Sequence, residues 1–600
     1  MKISRIFVAL AAAGALGSAF AAPSFKAGTY KAEANGIHGP VTVEVTFSAS
    51  SIESVKVIKQ NETLGIGTRA VELLPAKIVE AQSPSVEAVT GATITSGAIR
   101  TAVADCVRQA GADPDSLVPL TVKKSTKSEE LSTDVVIVGG GGAGMSATIR
   151  TRMNGLNAVL IEKMPFIGGA ASISGGQVVA QGSKLQKEYG SRDDSPESMI
   201  KDFRANGHNL NDLSKLSIYA HNVGATIDWL HDEVGVKFVP NDLPYLAEYS
   251  HPRALEFQGG AGAMAQHLRE VIAANGAKVL YNTRVKELIV ENGRVVGVKA
   301  EDSSGVTYTV RAKKTLLSTG GYGNNKSMLS KELQSALYYG PVSSTGDGLR
   351  MAEALGAKTQ LLEYGKRYPN GIEVAPGKAK STIYANVGAF DVSGILVDIG
   401  GKRFVNEKAS NRHILDPMLR TPNKQAYVVM DEASWQGFYK RLPETGVSHE
   451  DADRYLANNG RSAPLFVKAD TLEAAARLAG INADALKATV ARYNGFVRAG
   501  NDADFGRPAK YMKAEISAKG PYYIVEQKPR FATTMGGVVT DDSLNIVGKD
   551  GKVIPNLYAA GELVGGVMGD DSPAGANVGW ALTSGRYAAD RMAEAIKAGK

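Results

Sequence analysis

"DVVIVGGGGAGMSATIRTRMNGLNAVLIEK", residues 134–163, decides the fold of this 600-residue chain. An apolar strand runs into a glycine turn, a helix follows, and a second apolar strand ends at the acid Glu162. Gly139, Gly141 and Gly144 have the spacing G-x-G-x-x-G, which lets the backbone approach a pyrophosphate at the helix N-terminus. The acid after the second strand accepts ribose hydroxyls. The stretch therefore predicts an α/β domain of Rossmann type that binds a dinucleotide.

Further glycine-rich segments follow this motif as far as the C-terminus. They include "GGAASISGG" (168–176), "LLSTGGYG" (316–323) and "SSTGDGLRMAEALGA" (343–357). Taken singly, each of them is better explained as a helix cap or a hairpin turn than as part of a cofactor site. In "NLYAAGELVGGVMGDDSPAGANVGWALTSGR" (556–586), however, an apolar strand reaches Gly561-Glu562 and a glycine-rich loop precedes a helix near Asn577. Two such segments far apart in sequence predict a cofactor domain that is interrupted by an inserted domain.

Composition excludes several classes of function. The formal net charge of +7 is dispersed along the chain, which argues against nucleic-acid binding. Cys106 is the only cysteine, so the chain has no disulfide framework, no CxxCH motif and no iron–sulfur spacing. The eight histidines show no HxxxH-type pair, and a metal site is not expected. Any redox chemistry must therefore use organic cofactors.

The first 22 residues, "MKISRIFVALAAAGALGSAFAA", have the anatomy of a secretory signal. A short basic start precedes an apolar stretch, and small residues stand at Ala19 and Ala21. The alternative is a mature amphipathic helix, which is disfavoured because the apolar residues would cover all sides of it. The sequence therefore predicts export.

A small α+β domain is predicted before the glycine motif. "VTVEVTF" (41–47) and "IESVKVI" (52–58) alternate like a half-buried β-hairpin, and helical stretches follow at 69–81 and up to about 111. Residues 113–133 carry proline, serine and mixed charge without an apolar period, which is typical of a linker. The predicted organisation is a signal at 1–22, a small domain at 24–112, a linker at 113–133, a cofactor domain at 134–364 and 516–600, and a capping domain at 365–515.

"EAVTGATITS" (87–96) permits two interpretations. Thr90 and Thr93 flank the small pair Gly91-Ala92 at the entrance to a helix. A threonine in this position is an ordinary N-cap. The alternative is a covalent attachment point, for which small neighbours give an approaching group free access to the hydroxyl.

Several stretches resemble a known family. From Asp134 onward, "VVIVGGGGAGMSA", "STGDGLRMA", "GKRFVNE" (401–407), "GPYYIVEQKPRFATTMGG" (520–537) and "LYAAGE" resemble the fumarate reductase and succinate dehydrogenase flavoprotein superfamily. They are most similar to its soluble periplasmic reductases, of flavocytochrome fumarate reductase and urocanate reductase type. Residues 24–112 resemble the FMN-binding module of electron-transport flavoproteins. The resemblance implies an α/β fold: a Rossmann-like FAD-binding domain with an inserted α+β capping domain, preceded by a small α+β FMN-binding domain.

The resemblance also implies two flavins. "EAVTGAT" is similar to the flavinylation motif whose final threonine is esterified to the FMN phosphate, which assigns Thr93, although Glu87 stands where aspartate is more usual. FAD would be bound without a covalent link. The candidate cofactor-binding residues, besides Thr93 for FMN, are Gly139, Gly141, Gly144, Glu162, Gly169, Ala170, Ser174, Gly175, Gly176, Gly321, Asp347, Glu562 and Asn577.

Partners and location follow from the same resemblance. A flavin transferase would attach the FMN, and a periplasmic or membrane-associated donor would supply electrons. Since CxxCH motifs are absent, covalent FMN would replace the haem that related enzymes carry. The expected location is the periplasm.

The chemistry implied is a two-electron reduction of a C=C bond in a small unsaturated molecule. FAD would deliver hydride to the β-carbon, and an acid would protonate the α-carbon. The family places this acid shortly after "GKRFxNE", which points to Arg412 with one extra residue in between. His413 and Glu407 are candidates to reprotonate it, and Tyr368 is a second candidate acid.

The substrate-binding pattern departs from that of the fumarate reductases. Their dicarboxylate clamp uses two histidines and an arginine, where this chain has Tyr368, Thr533 and, in the last glycine loop, Asp570, Asp571 or Ser572. The candidate substrate residues are Tyr368, Thr533, Asp571 and Ser572. Aspartates beside a second substrate carboxylate would repel it, so the expected substrate is a neutral, phenolic or basic enoate-like compound.

Two other functions stay open at this point. A dehydrogenase could run the reverse desaturation, as related ketosteroid dehydrogenases do, but an exported covalent FMN argues against it. A pure electron-transfer flavoprotein would not need a full capping domain.

Overall fold

The computed structural model describes residues 24–599 except 38, 63–66, 90–91, 118, 120–123, 245 and 247. The predicted export signal therefore lies outside the described residues, as do Thr90 and Gly91 of the flavinylation-like motif. The chain forms two compact units, Met1–Glu62 with Ala70–Val122 and Thr63–Arg69 with Lys123–Lys600.

The first unit is built on a three-stranded antiparallel sheet of order β1-β2-β3, from β1 (Gly28–Asn35), β2 (Pro40–Phe47) and β3 (Ile52–Lys59). Alternation along β2 buries Val41, Val43, Val45 and Phe47, because successive side chains point to opposite faces. The unit also contains α1 (Gly67–Ala81) from Ala70 onward and α2 (Thr93–Gln109), and α2 packs on β1 and β2. The predicted hairpin is confirmed as β2 and β3, and β1 extends it.

The second unit holds the remaining strands and helices. Its strands are β4 (Ser128–Val138), β5 (Ala158–Ile161), β6 (Gln177–Val179), β7 (Ala254–Glu256), β8 (Lys278–Leu280), β9 (Thr283–Glu291), β10 (Arg294–Asp302), β11 (Thr307–Leu317), β12 (Leu337–Tyr338), β13 (Thr359–Gln360), β14 (Gly365–Ala375), β15 (Lys378–Ser381), β16 (Ile395–Val397), β17 (Ala426–Asp431), β18 (Phe466–Ala469), β19 (Tyr522–Thr534), β20 (Gly537–Val538), β21 (Asn545–Val547) and β22 (Val553–Ala559).

Its helices are α3 (Gly142–Met153), α4 (Lys184–Glu188), α5 (Pro196–Asn206), α6 (Leu213–Trp229), α7 (Gly260–Ala274), α8 (Lys331–Gln334), α9 (Asp347–Ala354), α10 (Ile383–Phe390), α11 (Asn411–Met418), α12 (Glu432–Arg441), α13 (His449–Asn458), α14 (Leu472–Leu478), α15 (Ala483–Ala499) and α16 (Ala576–Lys597). Within the described part of the chain, no helix combines the length and apolarity needed to span a bilayer.

The larger sheet has eight strands in the order β21-β22-β11-β4-β5-β8, with β10 and β9 continuing from β11. The central pairings β22–β11, β11–β4, β4–β5 and β5–β8 are parallel, so the carboxyl ends of these strands meet at one edge. The glycine turn follows β4, Glu162 follows β5, Ser318 follows β11 and Ala560 follows β22. This is the edge at which open α/β sheets bind ligands, and the predicted Rossmann-like α/β fold is confirmed.

The second sheet is the core of the inserted layer. Its order is β12-β15-β14-β19-β17-β16, with β18 also paired to β19. The long strand β19 therefore belongs to this sheet, although the sequence-based boundary at residue 516 assigns it to the cofactor domain. The reason is that β19 is buried along most of its length, so its sequence carries no polar break or alternation to show which sheet it joins.

The predicted linker at 113–133 is also shorter in the structure. β4 begins at Ser128, and Ser128–Thr133 pair in parallel with Thr307–Ala312 of β11. Backbone hydrogen bonds rather than apolar burial form this extension, so the polar sequence "SEELST" shows no strand signal.

The glycine turn generates a stability prediction. A Cβ at position 144 would lie 1.9 Å from the carbonyl oxygen of Gly139, whereas a Cβ at position 141 meets nothing within 4 Å. We expect Gly144→Ala to lower the free energy of unfolding of the flavin-free protein by about 3 kcal/mol, since backbone must move to admit the methyl group. Gly141→Ala is the matched control, because its φ of −72° suits alanine. Equal urea midpoints for the two variants would contradict this account.

Candidate active site

The glycine turn after β4 has the three features that a pyrophosphate cradle needs. Gly139 has a φ of +99°, and a Cβ there would lie 2.6 Å from the carbonyl oxygen of Ser318. Gly144 packs α3 against the backbone of Gly139. Gly141 is the N-cap of α3, and the space in front of its Cα is open. The turn therefore leaves bare backbone and a helix N-terminus free for a phosphate group, so the residues present fit FAD.

Glu162 is held at the carboxyl end of β5 by backbone donors. The Gly140 N–H donates to Oε2 at 2.7 Å, and the Met164 N–H donates to Oε1 at 2.8 Å. Burial raises the pKa of this carboxyl, although the two N–H groups act in the opposite direction. A carboxylate has about four acceptor positions, so both oxygens can still accept from ribose hydroxyls. The position predicted for a ribose contact is thus fixed before the cofactor binds.

Glu562 follows β22 and lies against Thr534 and Gly321, which are far apart in the sequence. Its Oε1 accepts from the backbone N–H and the hydroxyl of Thr534, both at 2.9 Å. A Cβ at Gly321 would lie 2.2 Å from the same oxygen, so only glycine fits there. Burial raises the pKa of Glu562, against the effect of Thr534 and Gly321. The structure thus brings Gly321 and Glu562 together, as expected for one binding edge.

The segment 168–176 folds against the first turn. A Cβ at Gly169 would lie 3.0 Å from Cα of Gly141, and Gly169 has a φ of +49°. The Ser174 hydroxyl donates to the Ala171 carbonyl at 2.9 Å, while Ala170 and Gly175 are exposed. Gly176 has a φ of +82° and packs on the backbone at the start of α7.

Asp347 lies in an ion-pair cluster at the start of α9. It accepts from Lys163 at 2.9 Å, Arg284 at 2.6 Å and Arg350 at 2.9 Å. Burial acts to raise the pKa of Asp347, but Lys163 and Arg284 outweigh it and lower the pKa. The cluster ties Asp347 to Lys163, the residue after Glu162, and a direct contact of Asp347 with the cofactor stays a prediction.

Arg412 meets the last glycine loop from the inserted layer. It is the second residue of α11, with Nη1 3.4 Å from Asp571 Oδ2, Nη2 3.9 Å from Asp570 Oδ2 and Nε 3.3 Å from Asp416 Oδ2. Burial acts to lower the pKa of Arg412, but the three carboxylates outweigh it and raise the pKa. A cavity of about 50 Å³ borders this contact. The predicted acid thus lies at the junction of cap and cofactor domain.

The structure corrects the expected support for Arg412. Glu407 is buried and forms ion pairs with Arg403 and Arg507, not with Arg412. His413 is exposed, and its Nδ1 is 2.7 Å from the Ser410 hydroxyl. The neighbours of Arg412 come from one helical turn further on and from a distant loop, so proximity in sequence does not identify them.

The aspartates of the last glycine loop are not free charges. Lys366 places Nζ 2.7 Å from Asp571 Oδ1, and its side chain is 8% exposed. Asp570 Oδ1 is 2.8 Å from Nδ1 of His208. Lys366 therefore offsets the charge of Asp571 and weakens the expected repulsion of a substrate, while Asp570 is hydrogen bonded to His208.

Tyr368 is buried within a cluster of aromatic and cationic side chains. Lys366 lies 5.2 Å and Arg530 4.6 Å from the centroid of its ring, and Tyr339 makes an edge contact at 6.3 Å. Burial and Tyr339 raise the pKa of Tyr368 well above its usual value, and Arg530 acts in the opposite direction. A neutral phenol is therefore present throughout the physiological pH range.

The remaining predicted substrate residues lie around the same cluster. Thr533 of β19 is in register with Lys366 of β14. The Ser572 N–H donates to Asp571 Oδ1 at 2.8 Å, and the Ser572 hydroxyl accepts from Asn577 Nδ2 at 2.8 Å. The structure thus brings these side chains near Asp571, and Asn577 supports the loop from the start of α16.

Sequence reasoning missed Lys366 and Arg530. Both are basic residues inside strands, in "GKRYP" and "KPRF", that are otherwise largely buried. A charged residue within a buried strand is unusual unless it is paired, and that signal could have identified both.

In the first unit, Thr93 is exposed and is the first residue of α2. The N-cap residue is Ala92, which provides no side-chain cap, so the interpretation of Thr93 as a helix cap is wrong. The Thr93 hydroxyl has no hydrogen-bond partner among the described residues.

Comparison with known proteins agrees with both units. The FAD binding domain model matches residues 134–578, and the FMN-binding domain model matches residues 36–108. Urocanate reductase of Eggerthella lenta is 30% identical over 92% of this chain and 90% of its own length. Fumarate reductase (cytochrome) of Shewanella frigidimarina is 32% identical over 81% of this chain and 82% of its own.

A solved structure is similar to the second unit's fold. The open conformation of a flavocytochrome c3 fumarate reductase superposes with a TM-score of 0.64 at 28% identity, covering 77% of this chain and 78% of that one. The FAD binding domain model alone spans most of the chain. The chain therefore belongs to the fumarate reductase and succinate dehydrogenase flavoprotein superfamily, with an FMN-binding domain ahead of its FAD-binding domain.

Proposed function

We propose that this protein is a periplasmic oxidoreductase that reduces the C=C bond of an enoate-like compound other than a dicarboxylate. Electrons pass from a periplasmic or membrane-associated donor to covalent FMN, then to FAD and to the substrate. The observation that carries the proposal is the contact of Arg412, on the inserted layer, with Asp571 of the glycine loop before α16. The contact supports the proposal because it joins a proton-carrying side chain to the loop between Glu562 and Asn577, two predicted cofactor residues. The relatives named urocanate reductase and fumarate reductase support C=C reduction.

Arg412 is suited to hold a proton until the substrate needs it. FAD bound in the cradle would supply hydride to the β-carbon of the substrate. The raised pKa keeps the Arg412 guanidinium charged, so proton transfer requires the strong base that forms at the α-carbon. Asp416 and Asp571 contact the same guanidinium and are placed to return a proton to it.

Covalent FMN on Thr93 is supported by the geometry of α2. The Thr93 side chain is exposed at the first position of a 17-residue helix, whose first N–H groups are available to a phosphate. A flavin transferase can therefore reach the hydroxyl, and the helix N-terminus stabilises the phosphoester charge.

Selection against dicarboxylates follows from the pairing of the site's charges. Thr533 and Ser572 are neutral, and the nearby cations Lys366 and Arg412 are already paired with Asp571. A second substrate carboxylate would lose its hydration without gaining a free cation.

The substrate proposal predicts a clear ranking of electron acceptors. With reduced viologen under anaerobic conditions, we expect turnover of at least one of acrylate, crotonate and urocanate, and a kcat/KM for fumarate roughly 100-fold lower. Propionate with an oxidised dye serves as the control for the reverse desaturation. Rapid fumarate reduction, or dehydrogenation of the saturated acid in place of reduction, would contradict the proposal.

For the covalent flavin, we expect Thr93→Ala protein from a host with the flavin transferase to lose all flavin fluorescence on a denaturing gel. Its non-covalent FAD, released by denaturation, should stay at about one per chain, since FAD binds to the other domain. Thr101→Ala, an exposed threonine of the same helix, is the matched control and should stay fluorescent. Fluorescence that persists in Thr93→Ala would show another attachment site.

For the proton donor, we expect Arg412→Met to bind both flavins and to be reduced normally, while kcat falls by about 1,000-fold. The loss arises because protonation of the α-carbon has no local acid. Arg420→Met removes an exposed arginine just after the same helix and should leave kcat unchanged. Near-normal turnover by Arg412→Met would make Tyr368 the next candidate acid.

A further inference from the structure

Arg530 is a buried cation with no carboxylate partner among the residues that the structure describes. It lies on β19 and is 3% exposed. Its Nε donates to the carbonyl and Oδ1 of Asn370, both at 3.0 Å, and its Nη2 donates to the same Oδ1 at 2.7 Å. No carboxylate of the described residues lies within 4.0 Å of its guanidinium, and Nη1 donates to none of them. Among the described residues, this buried positive charge thus donates only to the neutral carbonyl and side-chain amide of Asn370.

The other buried cations of the same layer are paired. Lys366 contacts Asp571 at 2.7 Å. Arg403 contacts Glu407 at 2.8 Å, and Arg507 contacts Glu407 at 3.3 Å. Burying a charge without a counter-charge is costly, and the chain avoids that cost at each of these positions. Arg530 is therefore an exception that calls for an anion from outside the chain.

Two tyrosines hold Arg530 in place. Its guanidinium carbon lies 4.1 Å from the ring centroid of Tyr339 and 4.6 Å from that of Tyr368. Stacking on aromatic rings stabilises a guanidinium and fixes its plane while leaving the N–H groups at its rim available. The remaining donors can then form the parallel pair of hydrogen bonds that arginine makes with a carboxylate.

The position of Arg530 links it to the proposed reaction site. The ring of Tyr368 contacts Arg530 and also Lys366, which pairs with Asp571, the partner of Arg412. An anion bound at Arg530 would therefore lie in the same cluster as the proposed proton donor.

We infer that Arg530 binds the single carboxylate of the substrate, and that the substrates are therefore monoanionic α,β-unsaturated acids. That the bound carboxylate belongs to a substrate rests on the proposed function. Binding of a carboxylate at Arg530 does not itself require turnover. One unpaired cation matches one carboxylate. Arg530 thus accounts for the binding of one carboxylate, while the paired charges of the site account for the proposed exclusion of a second.

The test compares acids with their primary amides, which match in shape and differ in charge. For each of acrylate, crotonate and urocanate that the enzyme reduces, Arg530→Gln should raise KM roughly 30-fold or more and leave KM for the amide within about 3-fold. Arg530→Lys keeps the charge but loses the two parallel donors of the guanidinium. Its KM for the acid should therefore lie between those of wild type and Arg530→Gln. Lys468→Gln removes an exposed lysine that lies 5.3 Å from the Tyr523 ring on the neighbouring strand, and should change neither KM.

A binding measurement separates this inference from the proposed function. Propionate, which cannot be reduced, should perturb the absorbance of the oxidised flavin in the wild-type holoenzyme, whereas propionamide should not. The propionate effect should vanish in Arg530→Gln. If no enoate is turned over but this binding pattern holds, the carboxylate site stands and the reductase proposal fails.

Each of the following results would overturn the inference while leaving the reductase proposal intact. One is an equal change of KM for acid and amide in Arg530→Gln, which would show a structural role. Another is equal binding of propionate and propionamide by wild type, a result that holds even if Arg530→Gln does not fold. If Arg412→Gln loses the preference for propionate over propionamide and Arg530→Gln keeps it, the carboxylate binds near Arg412 and not at Arg530.

Discussion

The close approach of two backbone segments at the glycine turn is the constraint on which the rest of the second unit depends. The Cα of Gly144 lies against the carbonyl of Gly139, and a Cβ at Gly139 would collide with the carbonyl of Ser318. β4, α3 and β11 can therefore meet at one point only if both positions lack a side chain. This contact lies at the edge where Glu162 and Glu562 follow the ends of β5 and β22. The geometry of that edge therefore depends on the absence of a side chain at both glycines.

A second constraint fixes the inserted layer. Arg403, Glu407, Asp502 and Arg507 form an ion-pair network in which each side chain is at most 4% exposed. The motif "GKRFVNE" supplies two of these groups and "NDADFGR" the other two, which explains why both stretches carry charges within a buried region. The network holds the chain immediately before α11, and thereby sets where Arg412 emerges. Removing one partner would leave buried charge uncompensated, so all four side chains are needed to hold this part of the chain in place.

The sequence was sufficient for features that depend on local spacing. The glycine turn, Glu162, Glu562 and the hairpin of the first unit all follow from periodicity and fixed offsets, and each is found where it was expected. It was insufficient wherever contacts cross between elements. The sequence alone shows Asp570 and Asp571 as unpaired acids, because their partners His208 and Lys366 are more than 200 residues away along the chain. Similarly, β19 is buried along most of its length, so nothing local shows which sheet it joins.

The charges of the site come from two parts of the structure, the inserted layer and the loop before α16. Lys366 and Arg412 come from the inserted layer, whereas Asp570 and Asp571 come from the loop before α16 of the cofactor part. Two like charges close together repel each other, and the two pairs offset each other when the parts meet. The raised pKa of Arg412 arises from the same contacts, with Asp416 of its own helix. Joining the two parts thus pairs these charges and, in the proposed mechanism, keeps Arg412 protonated.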